Sequence, residues 1–223
     1  MKAIVSITVL MAALLAGGCQ VLPWMVASFS PPKKVAAVYQ LPKDQKVLVL
    51  VENKPGLQTQ DMVKYELADR ISKKLVEHKI ALSTVSSEQV QLLSSTQPGF
   101  RSLPISEVGK KLGADLVVYV QVDNVSLKDN ASESLWHGRL AASVWVVEVK
   151  EQKRLWPTDL PEGMGYSAAP VDLKSADNPS TVYADTVIRD LTEKMSDNVS
   201  KLFYEYSEPQ DGVQDMPPSE MPN

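Results

Sequence analysis

Apolar residues along this chain switch between three spacings, and each spacing predicts an element. Val47-Leu-Val-Leu-Val51 is an unbroken apolar run after Lys46. It predicts a strand buried on both faces. Beyond the turn at Lys54-Pro55-Gly56, the stripe Val63, Leu67, Ile71, Leu75, widened by Ala68 and Val76, predicts a helix over about 59–78. Lys73, Lys74, Glu77 and Lys79 fall on its outward side. Ile80 to Val85 predicts a short strand, and a short helix is expected from about Ser87. After Pro98-Gly99, Ile105, Val108 and Leu112 share one side of a brief helix over 106–112, which Gly113 stops.

Strict alternation then takes over. Leu116 to Leu127 predicts a strand with Leu116, Val118, Val120 and Val122 on one face. Val117, Tyr119, Gln121 and Asp123 lie on the other, which grows more polar. A polar turn at Lys128–Ser134 leads to a returning strand, Arg139 to Val149, with Leu140, Ala142, Val144 and Val146 inward. Glu151-Gln152-Lys153 turns into the short strand Arg154–Trp156. Pro157 to Pro179 reads as loop, with an edge strand near Tyr166. A helical period over about 180–206, carried by Tyr183, Val187, Leu191, Met195, Val199, Leu202 and Tyr206, closes the pattern with Ser180 as its cap. The order β-α-β-α-β-β-β-α predicts an α/β (α+β) fold, a mixed sheet with helices packed on it.

The ends of the chain follow different rules. Lys2, an apolar run from Ala3 to Leu15, and Ala16-Gly17-Gly18 before Cys19 have the order of a secretory signal peptide. The run is shorter than the about 20 apolar residues that span a bilayer. Cys19 is the only cysteine, so it has no partner within the chain for a disulfide. Its place resembles the lipobox of bacterial lipoproteins, which implies cleavage between Gly18 and Cys19 and lipid on the Cys19 thiol. Ala16 stands where the usual lipobox has Leu, so cleavage by an ordinary signal peptidase and release as a soluble protein is the competing expectation. Gln20, where an Asp would mark inner-membrane retention, points to the outer membrane, facing the periplasm. The expected organisation is a signal peptide (1–18), a Pro-broken tether (19–45), a domain (46–206) and an acidic, Pro-rich, disordered tail (207–223). Losing residues 1–18 removes one Lys and no acid, moving the net charge from −4 to −5. With no basic block, nucleic acid is not an expected partner.

Three stretches carry a family resemblance. Lys46-Val-Leu-Val-Leu-Val51 with Leu67-Ala-Asp-Arg-Ile-Ser-Lys-Lys-Leu75, and the corner Leu112-Gly113-Ala114-Asp115 leading into Leu116–Val122, resemble the periplasmic domain of the curli-secretion lipoproteins. The penicillin-binding-protein activator lipoproteins share that fold. Ala142–Lys150 followed by Lys153-Arg-Leu-Trp156 is similar to the family's strand, turn and short strand ending in Trp. The resemblance implies an envelope lipoprotein that binds or assembles other proteins, with a homo-oligomer among its possible states. A channel is not expected, since no second pair of long alternating strands is spare.

Chemistry in the residues themselves is sparse. His78 and His137 stand apart, with no Cys or second His nearby, so neither metal nor cofactor is expected. No Gly-x-Ser-x-Gly elbow marks a hydrolase. A cell-wall hydrolase would need Asp115, Asp123 and Glu148 to converge. The expected role is therefore non-enzymatic: docking another envelope protein. Tyr119, Trp136, Trp145 and Trp156 are the candidate partner-binding residues, grouped by sequence around the second hairpin. Cover by the C-terminal helix is the competing reading for Trp145.

Overall fold

In the computed structural model, the structure describes residues 33–57, 61–127, 136–175 and 181–208. Gly18, Cys19, the turn Lys128–Ser134, Ser180 and the tail from Pro209 lie outside them. The strands are β1 (Lys34–Val35), β2 (Lys46–Asn53), β3 (Ser83–Thr84), β4 (Leu116–Ser126), β5 (Trp136–Glu148), β6 (Lys153–Trp156), β7 (Tyr166–Ser167), β8 (Val171–Ser175) and β9 (Tyr206–Ser207). The helices are α1 (Asp61–Glu77), α2 (Ser87–Thr96), α3 (Ile105–Lys111) and α4 (Thr181–Ser200), with a 3-10 turn at Phe100–Ser102.

The chain divides into two units, 1–35 with 207–223, and 36–206. In the first, the Glu208 N–H donates to the Lys33 carbonyl at 2.9 Å, and the Lys33 ammonium lies 3.2 Å from the Glu208 carboxylate. The second holds the main sheet, of order β3-β2-β4-β5-β6, with β7 and β8 also paired to β5. β2 runs parallel to β3 and β4, while β5 is antiparallel to β4 and to β6, β7 and β8. The mixed sheet with packed helices predicted from the periods is the fold observed.

Both faces of the sheet are covered, by different layers. Val47, Val49 and Val51 of β2, the even residues of β4 from Leu116 to Val122, and Leu140, Ala142, Val144 and Val146 of β5 point to one face. There they meet Leu67, Ile71 and Leu75 of α1 and Val187, Leu191, Met195 and Val199 of α4. The opposite face carries Leu48 and Leu50 of β2 with Val117 and Val149, under Val90 of α2, Phe100 and Val108 of α3. A run of consecutive valines and leucines is stable as a strand only because each parity has its own cover.

Several expectations change. Ile80–Val85 contributes only two strand residues, because the Ile80 and Ala81 N–H groups turn back onto the Leu75 carbonyl. β8 occupies part of the expected loop, and its Leu140↔Val171 pairing extends the sheet beside the long β5. α4 ends at Ser200, where the chain turns to drop Leu202 and Phe203 into the core. Residues 36–45, assigned to the tether by their prolines, lie on the domain: the Val38 and Tyr39 N–H groups both reach the Leu202 carbonyl at 2.9 Å, and Leu41 is buried. Lys74 is no outward lysine. Its ammonium lies 2.9 Å from Glu193 and 2.7 Å from Asp197, and Arg70 bonds Glu193 as well, so these pairs join α1 to α4. Val76, counted in the apolar stripe, is exposed.

The corner at residues 112–115 works over a longer range than its sequence suggests. Gly113 takes φ 66°, the left-handed cap expected of it. The Asp115 carboxylate bonds no group of its own turn. It accepts the Lys46 N–H at 2.8 Å, while the Asp115 N–H donates to the Lys46 carbonyl and its carbonyl accepts from Val149. One residue thus fixes the starts of β2 and β4 and the end of β5.

Close approach of α4 to β5 depends on Gly138, where a Cβ would stand 2.6 Å from Val187 Cγ1 and 3.0 Å from Leu191 Cδ1. Gly138→Ala is expected to lose about 1–3 kcal/mol through overpacking, read as a lower urea midpoint. Adding Val187→Ala should return part of that loss; a double variant no more stable than Gly138→Ala alone would place the strain elsewhere.

Candidate functional site

Helical cover on the second face stops before the sheet does. Tyr119 and Trp145 sit opposite each other on β4 and β5, on the parity that faces away from α1 and α4. Their rings lie 5.4 Å apart at 49°. They floor a groove of about 650 Å³, walled by Ile105 and Ser106 of α3 on one side and by Arg154 and Glu162 on the other. The C-terminal helix does not cover Trp145, because α4 packs on the opposite face.

What shields Trp145 is the 160–165 segment. The Arg154 guanidinium gathers that segment by donating to the carbonyls of Leu160, Pro161 and Met164 at 2.9, 3.2 and 3.3 Å. Gly165 then rests directly on the indole, since a Cβ there would fall 2.6 Å from Cε2. The polar end of the groove is set by an irregularity in the β4–β5 register between Val122 and Asn124, which leaves Asp123 without a partner across the ladder. Its carboxylate accepts from Ser143 Oγ at 2.6 Å and Gln121 Nε2 at 2.9 Å. None of Arg154, Gly165, Gln121 or Ser143 was a sequence candidate. The Gly163-Met-Gly165 pair was the available signal, for a close backbone approach.

The four aromatic candidates do not make one patch. Trp156 pairs with Val146 and points to the α1/α4 face, where it is buried against Tyr39 (5.6 Å), Tyr166 (4.8 Å) and Phe203 (6.2 Å). A register shift between Val146 and Val147 puts it there. Trp156 is a core residue, a correction to its place among the partner-binding candidates. Trp136 opposes Ser175 at the far end of β5, and its side chain is outside what the structure describes.

The three acids weighed for hydrolysis do not converge. Asp115 and Glu148 lie at the end of the sheet where Leu116 pairs with Glu148. Asp123 stands seven residues beyond Leu116 along β4 and so about 23 Å away. Asp115 and Asp123 also spend their oxygens on the structural bonds above. His78 stacks on Tyr204 at 3.8 Å, at an exposed rim. A smaller cavity of about 340 Å³ lies at the carboxyl end of β2, between α1 and α2. Its buried Lys64 ammonium is 3.7 Å from the Glu52 carboxylate, so the charge is paired internally.

No family model matches the chain, and no curated protein does. Among solved structures it is similar to the PelC dodecamer from Paraburkholderia phytofirmans, at 11% identity over 78% of this chain and 98% of that one, TM-score 0.41. Lipoprotein GNA1162 from Neisseria meningitidis shares 13% over 70% of this chain and 99% of that one, TM-score 0.39. Lipoprotein B from Nitrosomonas europaea shares 10% over 77% and 89%, TM-score 0.34. Two of these neighbours are lipoproteins by name, and all three superpositions are loose.

The Tyr119 hydroxyl is pushed above its ordinary pKa of 10.0, first by burial and then by the carboxylates of Glu52 and Asp123. The fold therefore favours the neutral phenol. Its contribution to stability is complete below pH 10.0 and is lost as pH rises through the higher folded value. Tyr119→Phe is expected to flatten part of the fall in urea midpoint above that pH. Tyr39 and Tyr204, also raised by burial, contribute to the slope that remains. An unchanged alkaline slope in Tyr119→Phe would contradict the burial of this hydroxyl.

Proposed function

We propose that the chain is a lipid-anchored protein of the bacterial envelope that acts without catalysis, docking another envelope protein in the groove of Tyr119 and Trp145. The observation that carries the docking role is the unequal cover of the sheet. One face is closed by α1 and α4, whereas the other leaves an aromatic pair at the floor of an open groove. Trp and Tyr are enriched where proteins bury each other's surface, and the polar rim of Gln121, Asp123 and Arg154 suits such a contact better than an enclosed small-molecule site. Asp123 stands apart from Asp115 and Glu148, and the Asp115 carboxylate is bonded to Lys46, which counts against the hydrolase reading. No helix among the described residues is long and apolar enough to cross a membrane. The membrane attachment in this reading is lipid on Cys19 after cleavage at Gly18, with Gln20 directing the protein to the outer membrane, facing the periplasm. The corner Leu112–Asp115 supports kinship with the curli-secretion and penicillin-binding-protein activator lipoproteins.

Labelling of cells with a fatty-acid analogue tests the anchor. The wild type should take label and fractionate with membranes, and Cys19→Ser should lose both. A Cys19→Ser chain that keeps label or membrane association would overturn lipidation at this residue. For the groove, crosslinked envelopes should yield one enriched partner with the wild type and clearly less with Trp145→Ala or Tyr119→Ala. Equal recovery with all three would remove the groove from the contact.

A further inference from the structure

The large apolar side chains most open to water are unevenly placed. Among the described residues they are Val38 (47% exposed), Val76 (40%), Leu82 (67%), Leu92 (65%) and Met164. The first three share one end of the 36–206 unit. The Leu82 N–H donates to the Gln45 carbonyl at 3.1 Å, the Lys79 N–H to the Val76 carbonyl at 2.9 Å, and the Val38 N–H to the Leu202 carbonyl at 2.9 Å. The 36–45 segment, the end of α1 and the turn after α4 therefore meet around the amino end of β2. Leu92 lies on α2, which runs from Asp69, where Ser87 is bonded, toward the cavity at the carboxyl end of β2. It lies toward the opposite end, since α2 lines that cavity through Ser87, Val90 and Ser94 beside the carboxyl half of β2.

We propose that the end bearing Val38, Val76 and Leu82 rests on the surface of the bilayer that holds the chain's own anchor. The inference rests on lipidation at Cys19. This unit begins at Ala36, 17 residues after Cys19. Seventeen residues reach at most about 60 Å, and Ala36 lies beside Lys79 and Ile80 at this end, so the end that the chain enters is the one nearest the anchor along the chain. Its chemistry fits a lipid surface better than a protein. The exposed groups are aliphatic, without the Trp and Arg that anchor protein interfaces. Charge here is mixed: Lys43 and Lys79 line this end with Glu205, and Lys73 pairs with Glu77 at 3.8 Å. Tyr204, stacked on His78, is the kind of side chain favoured at headgroup depth. A contact too weak to hold a free protein is sufficient here, because the tether keeps the local lipid concentration high. In this orientation the Leu92 end faces away from the bilayer.

Lipid on Cys19 leaves the mature chain without a free thiol, so one introduced cysteine is uniquely labelled. Full-length Leu82→Cys and Leu92→Cys carry an environment-sensitive fluorophore, in vesicles of phosphatidylethanolamine and phosphatidylglycerol containing a headgroup-nitroxide lipid. The Leu82→Cys probe should shift to the blue and lose most of its emission to the nitroxide, in high salt as in low. The Leu92→Cys probe should do neither. Membrane fractionation of the same chains reports the anchor separately. A chain found in the soluble fraction overturns the anchoring and this inference with it. A membrane-bound chain with equal emission at the two positions overturns this inference alone.

Discussion

β2 imposes the constraint on which the rest of the structure depends. Five consecutive residues, Val47 to Val51, are apolar and buried, so the strand needs an apolar layer on each side. One layer is long: α1 and α4 lie across β2, β4 and β5 and are joined to each other by the Arg70 and Lys74 pairs with Glu193 and Asp197. The other is short, built from α2, the turn at Phe100 and α3. It suffices for Leu48, Leu50, Val117 and Val149 and ends beside Tyr119.

The groove is the consequence of that short layer. Beyond the amino end of α3, β4 and β5 continue with Tyr119, Gln121, Ser143 and Trp145 on the uncovered parity. Arg154 supplies the missing wall by holding the 160–164 backbone, and Gly165 lets that wall lie on the indole. Burial of Trp145 and openness of the groove are therefore compatible: the indole is shielded at one edge and the floor between Tyr119 and α3 stays accessible.

Periodicity made the sheet and the long helices readable, because β2, β4, β5 and α1 each bury a whole parity or stripe. It failed where a residue's surroundings are set at a distance. Residues 36–45 look like linker because of Pro42 and their polar neighbours, yet their backbone is held by Leu202, which lies far along the chain. Trp156 looks like a partner of Trp145, and a single register shift sends it to the other face. Tyr119 and Trp145 were each legible as residues of the outward parity, and the register that opposes them was not. Arg154 was not, since its role is to bind carbonyls of a loop that has no periodic signal. Asp115 is bonded to Lys46 across a parallel pairing that only the fold reveals.

The central claim is that the uncovered part of the second face, and not the helical face, meets the partner. A photo-crosslinking amino acid placed in living cells at Gln121, in the groove, and at Asp190, on the exposed side of α4, tests it directly. The account predicts a discrete adduct from Gln121 and none from Asp190. Adducts from Asp190 with none from Gln121 would contradict it.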